Sequence, residues 1–233
     1  MIHLSIIFGG RAIPFLWSVK EHNSATIAFE AYQPLLRKAS WFLRHQSDVM
    51  FLADRGFAKG ALLKWLKLRE WHYVIRIPSD TLIWGVRRWC ACPVSQLRTV
   101  RGEAKMYRQV RLWEQGIETV NLALAFPATV TEPWAVITDE TPTLQTLYQY
   151  GSRFRVEELF LDSKSGVFGL TDSRLRDTQK LHRLYLMVAI AILYSTVAGT
   201  TIQLSRLRQQ VDIHYSRGLS YLKIGLRWLR GTI

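Results

Sequence analysis

Apolar residues follow two alternating patterns along this chain, short runs and helically spaced sets, which is typical of a mixed α/β fold. Residues 4–8 and 12–19 are strand-like, and Gly9 and Gly10 between them supply the positive φ angles that a tight hairpin turn needs. Residues 49–53 form a short, fully apolar run, which predicts a strand buried on both faces. Further strands are predicted at residues 72–77 and 134–138.

Helical spacing of apolar residues predicts helices between and after these strands. The first helix is expected to begin at Asn23-Ser24 and to end at about His45. Pro34 is expected to kink or split it, because proline cannot donate the helical hydrogen bond. The later helices are predicted at residues 59–69, 144–162, 177–207 and 219–230.

Residues 80–127 differ from the rest of the chain, because they contain short β-prone pieces rich in Trp, Arg and Val. These pieces, which include residues 87–92, predict a β-rich insertion between a strand and a helix of the main domain. The predicted organisation is a first part of the main domain, the insertion, a second part, and a basic C-terminal helix. The corresponding ranges are 1–79, 80–130, 131–210 and 211–233.

Charge is the feature of the composition that points to a partner. The 233 residues have a formal net charge of +13, and Lys and Arg occur along the whole length. A basic folded surface favours nucleic acid as the partner, with an anionic membrane as the second choice.

A membrane span is not expected. Residues 184–199 form the strongest apolar segment, but about 16 residues fall short of the roughly 20 that cross a bilayer. The first residues also lack the basic start and small-residue cleavage site of a signal peptide. We therefore expect a cytoplasmic protein in which this segment is a helix buried in the α/β core.

Cysteine and histidine do not indicate a site. Cys90 and Cys92 are too few for a disulfide framework, and no Cys or His pair near them has the spacing of a zinc site. The six histidines have no spacing that suggests a metal site or a Ser-His-Asp arrangement, and no role is assigned to them.

Four polar residues of the segment 150–164 share one face if that segment forms a single helix. At about 100° per residue, their spacing places them within a roughly 60° arc. They are Tyr150, Arg153, Glu157 and Lys164. One carboxylate aligned with two cations and a phenol suits holding a metal ion beside a phosphate backbone. The alternative, local pairing of Arg153 with Glu157, explains one contact and leaves the shared face as a coincidence.

Asp54 follows the apolar run at 49–53 and precedes Arg55-Gly56. Ligands of open α/β sheets gather at the carboxyl ends of strands, and a carboxylate there binds hard cations such as Mg²⁺. The alternative is a helix N-cap or turn aspartate. A second carboxylate, Glu157, favours a shared Mg²⁺ site, although a two-ion site for phosphodiester chemistry ordinarily needs at least three carboxylates.

The same residues carry a family resemblance. Tyr-x2-Arg-x3-Glu-x6-Lys, at residues 150–164, resembles the signature of bacterial insertion-sequence transposases of the DDE type. Further blocks resemble those of the family and occur in the family's order, so that the resemblance extends from about residue 4 to residue 230. These blocks are residues 10–17, 52–57 and 73–77.

The resemblance implies a ribonuclease-H-like mixed sheet with flanking helices and a β-rich insertion before the glutamate helix. It also implies Mg²⁺-dependent cut-and-paste transposition, by phosphoryl transfer at transposon ends, with a homodimer on the DNA. By position, Asp54 matches the second catalytic aspartate and Glu157 the catalytic glutamate, both of them metal ligands. Tyr150, Arg153 and Lys164 match the residues that hold the DNA end.

Two further groups of residues are left open. Trp113 or Trp134 is a candidate to stack on a base flipped from the DNA end, whereas most of the nine tryptophans are expected to pack in the core. Lys223, Arg227 and Arg230 on the final helix either contact DNA or form a solvated basic face.

This chain departs from the family pattern at the first aspartate, which lies on the opening strand of the family's sheet. The sole aspartate before Asp54 is Asp48, just ahead of the same strand. We therefore expect a truncated transposase without the first strand and the first catalytic aspartate, which does not cleave DNA. The alternatives are a non-catalytic DNA-binding fragment, which competes for transposon ends or pairs with full-length transposase, and a membrane-associated basic protein built around residues 184–199.

Overall fold

The computed structural model describes residues 1–19, 27–46, 48–86, 90–97, 99–113, 118–164, 166–212 and 218–232. The chain forms two compact units. Unit 1 comprises Met1–Asn23 and Phe154–Ile233, and unit 2 comprises Ser24–Arg153. Both units contain helices and strands, so the predicted mixed α/β class is confirmed.

Unit 1 begins with the predicted hairpin, in which β1 (Ile2–Phe8) pairs antiparallel with β2 (Arg11–Ser18). Gly9 and Gly10 form its turn with φ angles of 55° and 70°. Positive φ at both central residues defines a type I′ turn, whose twist matches that of the paired strands. The turn predicted from the two glycines is confirmed.

Unit 2 contains a seven-stranded mixed sheet with the strand order β3-β4-β9-β8-β7-β5-β6. Among the described strands, β3 has one neighbour, β4, to which it is parallel, and β4 pairs antiparallel with β9. The strands are β3 (Met50–Ala53), β4 (His72–Arg76), β5 (Leu82–Trp84), β6 (Cys92–Pro93), β7 (Ala104–Leu112), β8 (Glu118–Ala125) and β9 (Trp134–Thr138). The short strands of residues 82–125 thus continue the sheet of β4 and β9, and the insertion boundaries remain a prediction.

Three helices belong to unit 2: α1 (Phe29–Phe42), α2 (Gly60–Leu68) and α3 (Leu144–Ser152). Helix α3 contacts four strands of the sheet, and Tyr150 on it is fully buried. Pro34 lies inside α1 without splitting it, so a split at that residue was wrong. The start predicted at Asn23-Ser24 lies outside the described residues, and so do residues 87–89 of a predicted strand.

The rest of unit 1 is helical and comprises α4 (Arg155–Lys164), α5 (Thr178–Leu204) and α6 (Tyr221–Thr232). Its core joins β2, α4, α5 and α6. The buried members are Ala12, Leu159, Tyr185, Val188, Ile192 and Leu222. Helices α5 and α6 cross at Gly199 and Gly225, where the two backbones are in contact because neither residue has a side chain.

The helix predicted at 144–162 is two helices, α3 and α4, so the single continuous helix was wrong. Helix α3 ends at Ser152, and the amide of Arg153 donates to the carbonyl oxygen of Tyr150. Gly151 and Ser152 are weaker helix formers than the residues around them, which favours an end at this point. The apolar periodicity of the sequence does not show this break, since Arg153 itself retains helical dihedral angles, with φ −56° and ψ −34°.

Helix α5 has 27 residues, which makes it longer than the apolar stretch that predicted it. By length and composition it is the one described helix able to cross a membrane, and 44% of its apolar window is buried. This is weak evidence for a span, because the core helix of a soluble protein has the same properties. The predicted helix is confirmed, but the expected burial holds for one face alone, since several of its large apolar residues are exposed.

His3 on β1 packs against α4 and α5. Its Nε2 atom lies 2.7 Å from the hydroxyl oxygen of Tyr185, and its ring centroid lies 5.0 Å from that of Phe160. Burial, together with the weaker effect of the nearby N-terminal ammonium, lowers the pKa of His3 from 6.5 to about 4. At pH values between about 4 and 6.5, His3 therefore binds a proton in the unfolded chain and does not bind it in the folded chain.

We expect the free energy of unfolding contributed by His3 to be fully present above pH 6.5 and to decrease as the pH falls towards about 4. His3→Gln removes this dependence, so the stability of the variant relative to the wild-type chain rises on acidification. Urea unfolding at a series of pH values measures the difference. The same substitution at the exposed His45 is the control, and a pH-independent difference for His3→Gln contradicts the prediction.

Candidate active site

Asp54 lies in unit 2 at the carboxyl end of β3, where the sequence predicted it. It is the N-cap of a short 3₁₀ turn, Arg55–Phe57, and its Oδ1 atom accepts a hydrogen bond of 2.8 Å from the amide of Arg55. Asp54 therefore has the turn role that was considered as the alternative. It occupies one carboxylate oxygen and leaves the side chain 39% exposed.

The second carboxylate oxygen of Asp54 faces Arg153. The Nη1 atom of Arg153 lies 3.9 Å from Oδ2 of Asp54, at the outer limit of an ion pair. The Arg153 side chain is 14% exposed. Two residues 99 positions apart thus meet in unit 2, and they are two of the predicted site residues.

The ring of Tyr150 lies next to the Arg153 side chain of this pair. This ring packs edge-on against Trp134 with a centroid separation of 5.1 Å, and the guanidinium carbon of Arg153 lies 5.9 Å from the Tyr150 centroid. Burial raises the pKa of Tyr150, an effect that Arg153 opposes and Asp54 reinforces. The phenol therefore remains neutral over the physiological pH range and can act as a hydrogen-bonding group.

Arg76 and Glu132 also lie at this end of the sheet, and the sequence reasoning did not select them. Nη2 of Arg76 lies 3.0 Å from Oε2 of Glu132, and Arg55 reaches the same oxygen at 3.6 Å. A signal for Arg76 was present, because it ends the strand parallel to β3 and parallel strands end at the same edge of a sheet.

Trp134 and Trp113 were both candidates for stacking on a flipped base. Trp134 begins β9 and packs on Tyr150. Trp113 accepts a hydrogen bond of 2.9 Å from Nε1 of Trp84 at its carbonyl oxygen. Both are partly buried, and the choice between them remains a prediction.

Glu157 and Lys164 lie in unit 1, on the first and last turns of α4. Both are exposed, and their spacing of seven residues places them on one face of the helix, about 10 Å apart along its axis. The ammonium of Lys164 lies 5.4 Å from the ring centroid of Phe160. A carboxylate on the first turn and a cation on the last both interact favourably with the helix dipole.

The single helix predicted to carry all four residues was wrong, because Tyr150 belongs to α3 and Glu157 and Lys164 belong to α4. Each unit therefore contains some of the predicted site residues. Tyr150 and Arg153 accompany Asp54 in unit 2, and Glu157 and Lys164 share a face in unit 1. The predicted convergence of Asp54 and Glu157 remains a prediction.

An ion-pair cluster fixes α4 against the hairpin within unit 1. The guanidinium of Arg11 contacts Glu158 at 2.6 Å and also pairs with Asp162. The side chains of Arg11 and Asp162 are 14% and 11% exposed. Arg155 extends the cluster to the other oxygen of Glu158 at 2.9 Å. The cluster therefore holds the helix that carries Glu157, and Glu158 is occupied in this packing.

The donor set fits Mg²⁺ in part. Carboxylate oxygens such as those of Asp54 and Glu157 are the ligands that this ion prefers. Among the described residues, however, no group of three or more His, Cys, Asp or Glu side chains is placed to hold a metal ion. One carboxylate beside an arginine does not by itself make a metal site.

A mixed α/β fold with an aspartate at the carboxyl end of a parallel strand, beside partly buried arginines, suits the binding of a phosphate-containing ligand. A sequence model of the family described as Transposase DDE domain matches residues 28–194, which is most of the chain and includes Asp54, Tyr150, Arg153, Glu157 and Lys164. The chain belongs to this family of DDE transposase domains. Comparison with curated proteins gives no match.

Proposed function

We propose that this chain is a transposase domain that binds DNA at transposon ends, and that Asp54 and Glu157 occupy the positions of the family's second catalytic aspartate and catalytic glutamate, both of them Mg²⁺ ligands. Membership of the transposase family supports the DNA substrate. The observation that carries the proposal is the Asp54–Arg153 pair, which joins the predicted carboxylate to a predicted DNA-binding cation. Mg²⁺, when bound, would activate an attacking oxygen and stabilise the leaving one.

Arg153, Tyr150 and Lys164 hold the DNA end in this proposal. The separation of 3.9 Å between Arg153 and Asp54 is longer than a charge-assisted hydrogen bond, so a phosphate oxygen can compete for the guanidinium. The neutral phenol of Tyr150 positions the guanidinium and donates to oxygen acceptors. Arg76 adds a second cation at the same sheet edge, already paired with Glu132.

The 233-residue chain by itself does not cleave DNA in this proposal. Two carboxylates are too few to bring two metal ions together against their mutual repulsion. Asp48 does not take the place of the family's first aspartate in this proposal, because Asp48 and Asp54 flank the same strand. We further propose a cytoplasmic location and a homodimer on the DNA.

The second candidate is a non-catalytic fragment that binds transposon ends or pairs with full-length transposase. The net charge of +13 favours it, because electrostatic binding to phosphates requires no intact metal site. Binding and cleavage therefore need separate experiments.

Replacing Arg153 with glutamine should weaken binding to a short duplex DNA by roughly tenfold and reduce the salt dependence by about one phosphate contact. Fluorescence anisotropy across a salt series measures both quantities. The exposed Arg44→Gln is the control, since it removes the same charge from the end of α1 and should change the affinity by at most about twofold. Equal losses for both variants would remove Arg153 from the DNA site.

Incubation with supercoiled plasmid and Mg²⁺ or Mn²⁺ should leave the plasmid intact. Metal-dependent nicking that Asp54→Asn abolishes would overturn the proposed inactivity while supporting the role of Asp54. Nicking that survives in both Asp54→Asn and Glu157→Gln would contradict the assignment of the carboxylates.

A further inference from the structure

Helix α5 has apolar residues around its whole circumference but buries one face. The eight buried residues lie on one side of the helix, at 185, 188, 189, 192, 195, 196, 199 and 202, and three of them (Tyr185, Val188 and Ile192) belong to the core of unit 1. A helix that is apolar all round is normally buried on every side. The other face of α5 therefore requires an explanation.

That other face, the outer seam, consists of residues 187, 190, 194, 197, 201 and 204. Steps of three and four residues over more than two heptads are the spacing of the contact positions in a coiled coil. All six residues are exposed, including Met187 at 65% and Tyr194 at 63%. The spacing indicates that the partner of this surface is another helix.

The exposed apolar area on α5 is large. The exposed large apolar residues on this helix are Leu186, Met187, Ile190, Leu193, Tyr194, Val197 and Leu204. At about 100 Å² each they present on the order of 700 Å², which exceeds the roughly 300–600 Å² of the largest patch on a typical monomer. It approaches the roughly 800 Å² that each partner contributes to a standard interface.

The outer seam is complementary to a second copy of itself. When two α5 helices pack antiparallel about a two-fold axis midway along the seam, residue 187 meets 204, residue 190 meets 201, and residue 194 meets 197. Large residues then face smaller ones, since Tyr194 lies opposite Val197 and Ile190 lies opposite Thr201. A two-fold interface requires such matching of one surface with itself.

We propose that the chain self-associates in the absence of DNA through an antiparallel pairing of the outer seams of two α5 helices. This interface goes beyond the homodimer on DNA proposed above, because it needs neither DNA nor the catalytic residues. Its centre is Tyr194 and Val197, and no charged side chain of α5 lies between Met187 and Leu204.

The test is the mass of the complete 233-residue chain in solution without DNA, measured by sedimentation equilibrium. We expect the wild-type chain to have twice its mass of 27.0 kDa. Tyr194→Glu should raise the dimer dissociation constant at least 100-fold, because it places a carboxylate at the centre of the seam. Tyr148→Glu is the matched control, since Tyr148 is 71% exposed on α3 and its replacement should leave the dimer intact.

Circular dichroism establishes that the variants are folded, and Val197→Lys replaces Tyr194→Glu in the test if the latter does not fold. A monomeric wild-type chain, or a dimer that persists in both seam variants, overturns the proposal. Flotation with phosphatidylcholine–phosphatidylglycerol vesicles tests the alternative that a lipid surface, and not a second copy of the chain, covers the outer seam. A chain that is monomeric in solution and binds these vesicles through Tyr194 would make the seam a lipid-binding surface and would also overturn the proposal.

Discussion

Gly225→Ala is expected to lower the free energy of unfolding of unit 1 by about 3 kcal/mol or more, because the new methyl group meets backbone atoms that cannot rotate away. A Cβ atom on Gly225 would overlap the carbonyl oxygen of Ser195 and lie 2.8 Å from the amide nitrogen of Gly199. The reciprocal Cβ on Gly199 would overlap the carbonyl oxygen of Tyr221. Relief requires the two helices to separate.

Gly231→Ala is the matched control, because the same substitution is made on the same helix where no atom lies within 4 Å of the new Cβ. It should be neutral or stabilising by up to about 1 kcal/mol, since alanine is the better helix former. Urea unfolding followed by circular dichroism measures both variants. If Gly225→Ala is as stable as Gly231→Ala, the close crossing of α5 and α6 is not present in solution.

The two glycines act on one contact, so their substitutions should not be additive. Once Gly225→Ala has separated the helices, Gly199→Ala should lower the stability by much less than it does in the wild-type chain. Additive effects would indicate two independent sites of strain.

Arg11→Met is expected to lower the free energy of unfolding by about 2–4 kcal/mol, because it leaves the carboxylate of Asp162 nearly buried without its partner. Arg11 pairs with both Glu158 and Asp162, which lie one turn apart on α4. Urea unfolding measures the loss. Arg55→Met is the matched control and should change the stability by less than about 0.5 kcal/mol, since the side chains of Arg55 and its partner Glu132 are 56% and 60% exposed.

A second substitution separates loss of the ion pair from general damage to the packing. Asp162→Leu in the Arg11→Met background removes the unpaired carboxylate and should restore part of the stability. If the double variant is less stable than Arg11→Met, the buried charge is not the source of the loss.

The site residues remain predictions, but the structure tests where several of them lie. The position of Asp54 at the end of a strand was predicted correctly, because a short apolar run, an acidic residue and a glycine are adjacent in the sequence. The spacing of Glu157 and Lys164 on one helix face was found because both lie on α4. The single continuous helix through residues 150–164 was wrong, because a two-residue break between α3 and α4 interrupts the helix without interrupting the apolar pattern of the sequence.

Arg76 and Glu132 were missed for a related reason. Glu132 lies in an irregular segment before β9, so no periodicity marks it. Its pairing with Arg76, 56 positions away, depends on the sheet that places β4 beside β9. The sequence alone therefore does not show that these two residues are paired.

By itself the sequence determined most of the strands and helices and the tight turn at Gly9-Gly10, because backbone preference and apolar periodicity act over neighbouring residues. It also determined the family, since the family's motifs are read directly from residue order. Tertiary structure decided which of these residues meet: Asp54 with Arg153, Arg11 with Asp162, and Gly199 with Gly225. It also decided that α5 buries one apolar face and exposes the other, because burial depends on what packs against a helix and not on the residues of the helix itself.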